Sequence, residues 1–123
     1  MTILVFGETG QVARELAARA PDAVYLGRDK ADLSAPAACA AALKAAAPSM
    51  VINAAAYTAV DKAEEEEALA TTINGAAPGA MAAAAAELGV HVVHISTDYV
   101  FDGSGTAPFA PDAPVGPLGA YGR

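Results

Sequence analysis

The stretch Thr2-Ile3-Leu4-Val5-Phe6-Gly7-Glu8-Thr9-Gly10-Gln11-Val12-Ala13 decides the fold. Residues 2–6 run apolar without a break and are closed by Gly7, the pattern of a parallel strand buried on both faces. A helix is expected from about residue 10 to residue 20, with Val12 and Leu16 four apart on one face and Pro21 ending it. Between strand and helix, Gly7 allows a tight turn, and Gly10 lets the main chain come close to a pyrophosphate at the helix N-terminus. Free N–H groups and the helix dipole favour negative charge there, and a small Ala13 permits close packing of helix on sheet. The spacing G-x-x-G-x-x-A is looser than G-x-G-x-x-G. Taken alone it serves an unliganded turn as well as a dinucleotide loop, although strand before and helix after are the context that the fingerprint requires.

The rest of the chain repeats this alternation. Residues 23–26 form a second strand stopped by Gly27, and Pro36 opens an alanine-rich helix that ends before Pro48. Residues 50–53 are a third strand. An acidic helix from residue 61 to about 70 and a long one from about 72 to 88 follow, with Gly89 in the left-handed position that ends the latter. Residues 90–95 make the last strong strand. Strands alternating with helices predict an α/β fold with a doubly wound parallel sheet, a Rossmann-type nucleotide-binding domain over residues 1–123. Right-handed crossovers put the second strand on one side of the first and the third strand on the other, so the ligand crevice is expected between strands one and three. From Asp102 onward Gly and Pro dominate, which is loop chemistry.

Composition narrows the function classes. Hydrophobic residues are 54% and charged ones 17%, so the chain can bury a core and disorder is not expected. The net charge of −7 argues against nucleic acid or an anionic membrane as partner. No run is apolar enough to span a bilayer, and Met1 leads straight into a strand rather than a leader segment, so the expected location is cytoplasmic. Cys39, the single cysteine, reads as a small core residue on a helix. His91 and His94, three apart on a strand, face opposite sides and do not act as a pair. Glu64-Glu65-Glu66-Glu67 reads as a solvated helix face, since consecutive helical positions diverge and do not converge on a metal. No metal site is expected.

Three loops gather polar groups at the expected crevice. Arg28 follows strand two, where a cation meets a 2′-phosphate, and Asp32-Leu33 lies near the roughly 20-residue distance at which an acid meets the adenosine end. Arg28 reads equally as a solvated loop charge. After strand three, Asn53-Ala54-Ala55-Ala56-Tyr57-Thr58 offers small residues along which a flat cofactor can lie, with hydroxyls on Tyr57 and Thr58. The same stretch also serves as a tight turn into a helix capped by Asp61. After strand four, Ser96-Thr97-Asp98-Tyr99 delivers hydroxyl, carboxylate and phenol to the same edge.

Residues 7–13, 53–64, 96–103 and 120–122 together closely resemble the dTDP-4-dehydrorhamnose reductases, extended short-chain dehydrogenase/reductases of deoxysugar biosynthesis. The resemblance implies that Gly7, Gly10, Gln11, Val12, Arg28, Asp32, Leu33, Ala56, Tyr57, Thr58 and Tyr121 hold a nicotinamide cofactor, and Arg28 after strand two favours NADPH over NADH. It also implies that Thr97 and Asp98 touch a dTDP-sugar. Thr97 and Tyr121 match two members of a Ser/Thr-Tyr-Lys catalytic set: Tyr121 would protonate the C4 oxygen of the substrate as hydride arrives, and Thr97 would hydrogen-bond that oxygen. The lysine of the set would fall at position 125, past Arg123. The expectation is therefore a domain truncated on its C-terminal side and inactive by itself, with strand four left as an exposed edge or as a surface for a homodimer. Two other readings stay open: a dinucleotide-binding regulatory subunit like that of methionine adenosyltransferase, and a sugar-nucleotide epimerase or dehydratase on the same scaffold.

Overall fold

The computed structural model describes residues 1–123. Strand β1 (Ile3–Phe6) is followed by helix α1 (Gln11–Arg19), strand β2 (Val24–Leu26), helix α2 (Pro36–Ala46) and strand β3 (Met50–Asn53). Helix α3 (Glu67–Thr71), helix α4 (Ala77–Leu88) and strand β4 (His91–His94) complete the regular elements. The four strands form one parallel sheet in the order β2-β1-β3-β4. This is the doubly wound arrangement expected from the alternating pattern, with the reversal of strand order between β1 and β3. Strand β4 lies at an edge of the sheet, with Val93 and Ile95 partly exposed.

Strand alternation sorts side chains between the two faces of the sheet. On one face Leu4 and Phe6 of β1 and Val51 of β3 join Cys39 and Leu43 of α2 and Met81, Ala84 and Ala85 of α4 in a continuous buried cluster. The many alanines let α2 and α4 approach each other closely over this face, while Leu, Phe, Met and Val fill the volume. The fully buried Cys39 donates its S–H to the Asp32 carbonyl at 3.3 Å, and burial pushes its thiol pKa up. On α1 the one fully buried residue is Ala13, as close packing at that position requires. No helix is long and apolar enough to cross a membrane.

Residues 61–88 depart from the expected pair of helices. Instead of one acidic helix there is a short 3-10 turn (Lys62–Glu64), an interruption at Glu66, and then α3. Instead of one helix from residue 72 to 88 there is a π-type turn (Thr72–Ala76) leading into α4. Pro78 supplies the physical reason for the second departure. It has no N–H to give to the carbonyl four residues back, so a regular ladder cannot run from α3 into α4.

Helices α2 and α4 leave the core by the same left-handed exit with different residues. Gly89 closes α4 at φ 69°, ψ 29°, whereas Ala47 closes α2 at φ 42°, ψ 56°. A non-glycine residue there carries a cost of about 1–2 kcal/mol, set against the greater unfolded-chain entropy of glycine. Ala47→Gly is therefore expected to stabilise the protein by about 0.5–1 kcal/mol in urea unfolding, whereas Gly89→Ala destabilises it. Equal urea midpoints for the wild type and Ala47→Gly would show that the left-handed exit of α2 is unstrained.

Candidate functional site

The register of the sheet brings four strand ends level. Phe6 pairs with Leu26 on one side and with Asn53 on the other, and Asn53 pairs with His94. The chain therefore leaves β1, β2, β3 and β4 along one line, and the loops that follow meet over the carboxyl edge. Two backbone bonds extend the pairing into the loops: Gly7 N donates to Leu26 O and Ala54 N donates to Phe6 O, each at 2.9 Å. Gly7 sits at φ +119°, and a Cβ there would stand 3.2 Å from the carbonyl carbon and oxygen of Ala54. Only glycine lets the β1 and β3 exits run this close together.

Asn53 occupies the centre of this edge and is 2% exposed. Its Oδ1 accepts from Ala55 N at 3.2 Å, and its Nδ2 lies 3.1 Å from Nδ1 of His94. An amide NH2 only donates, so His94 Nδ1 is the acceptor and the ring carries its proton on Nε2. The next loop is clamped at two points: Tyr57 N donates to Asn74 Oδ1 at 2.8 Å, and Asn74 Nδ2 donates to Tyr57 O at 2.9 Å. Asn74 projects from the π-type turn, so the irregularity between α3 and α4 is what presents this amide to the loop.

The loops enclose a cleft of about 1120 Å³. Gly7, Gly10, Gln11 and Val12 border it from the first loop; Arg28, Asp32 and Leu33 from the second; Ala56, Tyr57 and Thr58 from the third; and Thr97 and Tyr121 from the last segments. One predicted residue stays outside: Asp98 is exposed and does not line the cleft. It begins a 3-10 turn (Asp98–Val100) capped by Thr97, whose Oγ1 accepts from Tyr99 N at 3.2 Å. Thr97 thus borders the cleft while its neighbour in the turn does not. A hydroxyl that accepts one bond keeps its own proton to donate, so Thr97 remains a donor toward the cleft.

The first loop suits an anion. Gly10 is the N-cap of α1 without a side-chain cap bond, and the first turn of the helix has no acidic residue. The leading N–H groups and the positive end of the helix are left for a ligand. Asp32 is held low by hydrogen bonds from Ser34, with Arg28 adding to the effect.

The acidic run 64–67 stays largely at the surface, with Glu64 and Glu65 exposed, yet it does more than face solvent. Glu64 Oε1 accepts from Ala120 N at 2.9 Å, Glu66 Oε2 accepts from the Tyr57 hydroxyl at 2.8 Å, and Glu67 Oε1 accepts from Arg123 Nε at 2.7 Å. The four carboxylates do diverge, and three of them tie other segments down. Sequence reasoning read these glutamates only as a solvated face and His94 only as half of a non-pair, gave Asn53 no role of its own, and missed Asn74. Only Asn53 carried a local signal, a polar residue ending an apolar strand.

Burial, then the neighbouring Glu66 carboxylate, pushes the Tyr57 phenol up, while that same hydrogen bond, followed by Lys62, holds Glu66 low. The depressed Glu66 stabilises the fold above the ordinary glutamate range of about 4.3 and loses this as pH falls through its folded value. The raised Tyr57 stabilises below the ordinary phenol value of about 10 and loses this as pH rises through its folded value. The difference in urea midpoint between wild type and Tyr57→Phe is therefore expected to be largest between these limits and to shrink on both sides. A difference that stays flat from pH 3 to 11 would show that the Tyr57–Glu66 bond does not contribute.

The RmlD substrate binding domain family matches residues 1–123. The dTDP-4-dehydrorhamnose reductase of Burkholderia thailandensis is 49% identical over 125 residues, covering 99% of this chain and 42% of that protein. Among solved structures, a dTDP-4-dehydrorhamnose reductase ortholog from Clostridium acetobutylicum superposes with a TM-score of 0.93 at 39% identity, covering 99% of this chain and 45% of its own. The dTDP-4-dehydrorhamnose reductase of Bacillus anthracis, solved in complex with NADP, gives 0.91 at 30% identity, covering 98% and 45%. This chain thus spans less than half the length of each of these relatives.

Proposed function

Because the chain belongs to the RmlD substrate binding domain family, that of the dTDP-4-dehydrorhamnose reductases, we propose that it supplies the dinucleotide-binding part of such a reductase. The complete enzyme reduces the C4 carbonyl of dTDP-4-dehydrorhamnose to give dTDP-L-rhamnose. NADPH, when bound, supplies the hydride. The observation that carries this reading is the single cleft joining the anion-suited start of α1 to Thr97 and Tyr121.

Each side chain has work that fits its chemistry. The main-chain N–H groups at Gln11 and Val12 hold the pyrophosphate, with Gly7 and Gly10 allowing its approach. Arg28 takes the 2′-phosphate, and Asp32 and Leu33 border the adenosine end. Residues 56–58, fixed by Asn74, give a flat wall along the cofactor. The Tyr57 hydroxyl donates to Glu66, so its contribution is the ring and backbone rather than a free phenol proton. Thr97 donates a hydrogen bond to the C4 oxygen, and Tyr121 gives that oxygen its proton as negative charge builds there. Asp98, outside the cleft wall, reaches the sugar nucleotide from the open side. The reductase names of the relatives and the joint presence of Thr97 and Tyr121 in the cleft favour this over a purely regulatory binding module.

In the complete enzyme, Tyr121→Phe is expected to lower kcat for NADPH oxidation with dTDP-4-dehydrorhamnose by about 10²–10⁴, with a far smaller change in NADPH affinity. Undiminished turnover in that variant would remove Tyr121 from the proton step. NADPH binding without any turnover by the wild type would move the reading to the regulatory module. Arg28→Ala is expected to raise KM for NADPH about ten- to hundredfold, the worth of one charged hydrogen bond, and to change KM for NADH little. Equal effects on both cofactors would refute the 2′-phosphate role.

A further inference from the structure

We infer that Glu64 is a positioning residue for Tyr121: its carboxylate fixes the peptide that carries the proton donor against the cleft. The inference rests on the reductase reading for its catalytic consequence, but its geometry stands apart from that reading.

Ala120 is 2% exposed and packs with Ala63 and Ala70 in a small cluster against which Tyr57 and Tyr121 lie. Burying that alanine would strand its amide N–H, and Glu64 Oε1 accepts it at 2.9 Å. An N–H bonded to a carboxylate is stronger than one bonded to a neutral acceptor. The bond therefore joins the 3-10 turn before α3 to the residue immediately preceding Tyr121, far along the chain.

Two glycines flank this dipeptide, and both stand at close approaches. A Cβ on Gly119 would lie 3.0 Å from Glu64 Oε1, so the missing side chain makes room for the carboxylate. A Cβ on Gly122 would run into the carbonyl of Tyr99 and would stand 2.9 Å from Pro117 Cβ. The ring of Tyr121 meets that of Tyr99 edge-on, with centroids 5.3 Å apart. The segment is thus held from the Glu64 side and from the Tyr99 side, leaving Tyr121 between them at the cleft. The Arg123–Glu67 pair, with both side chains nearly half exposed, is a second tie on the same segment.

A group that must deliver a proton to one oxygen loses rate steeply when displaced, about 10²-fold for a misplacement near 1 Å. Glu64→Ala and Glu64→Gln separate positioning from charge, since glutamine keeps an oxygen that can accept from Ala120 N. In the complete enzyme, Glu64→Ala is expected to lower kcat at least tenfold with KM for NADPH within twofold of wild type, and Glu64→Gln to restore most of it. Independently of activity, hydrogen exchange of peptides covering residues 118–123 is expected to speed up in Glu64→Ala and to stay near wild type in Glu64→Gln. Unchanged exchange in Glu64→Ala would overturn the tie itself. Faster exchange with wild-type kcat would overturn the catalytic consequence and leave Glu64 a structural residue. Absence of turnover in the wild type would instead sink the reductase reading, with the exchange result still deciding the tie.

Discussion

A parallel sheet whose strands end on one line is the constraint from which the cleft follows. With Leu26, Phe6, Asn53 and His94 level across the four strands, the loops after them have nowhere to go but over the same edge. Parallel pairing leaves these exits crowded, and the chain relieves the crowding with glycine where β1 passes Ala54. It also places a buried amide at the centre. Asn53 is tolerated there because its oxygen and nitrogen both find partners, one in its own loop and one on β4. A hydrophobic residue in its place would bury as well, but it would leave Ala55 N and His94 Nδ1 without those bonds.

Around that edge carboxylates and amides act as fasteners, some of them while still facing solvent. Asn74 grips the Tyr57 peptide from both sides, and Glu64, Glu66 and Glu67 each hold a different segment. All of these come from the irregular stretch between β3 and α4, where a 3-10 turn, a break at Glu66 and a π-type turn replace straight helices. Breaking the helix changes which way the side chains project, and that is how one short region serves both the third loop and the segment bearing Tyr121.

The sheet was legible in the sequence because its cues are local. Apolar runs closed by Gly7 and Gly27, Pro36 at the start of α2 and Gly89 at the end of α4 each act within a few residues of themselves. The order of strands followed from the handedness of crossovers. The glycine loop and the strand ends were legible for the same reason, whereas the place of Tyr121 at the cleft came from the family resemblance. The fasteners were not legible. Glu64 finds its partner at residue 120, Asn74 at residue 57 and Glu67 at residue 123, and nothing in the run Glu64-Glu65-Glu66-Glu67 distinguishes one carboxylate from the next. Asp98 was paired with Thr97 by the family resemblance; in the fold Thr97 caps the 3-10 turn that Asp98 begins, and of the two only Thr97 borders the cleft.

The layer formed by α2 and α4 also encloses the only thiol of the chain. Cys39 has no exposed surface, and its sulfur proton is engaged by the Asp32 carbonyl, so a thiol reagent meets it only when this layer opens. Its labelling rate is therefore a clock for opening events of the native protein, built into the core without any added probe. Because the carbonyl it bonds belongs to Asp32, which borders the cleft, that clock sits between the packed interior and the cleft wall. A ligand that braces the second loop would slow it.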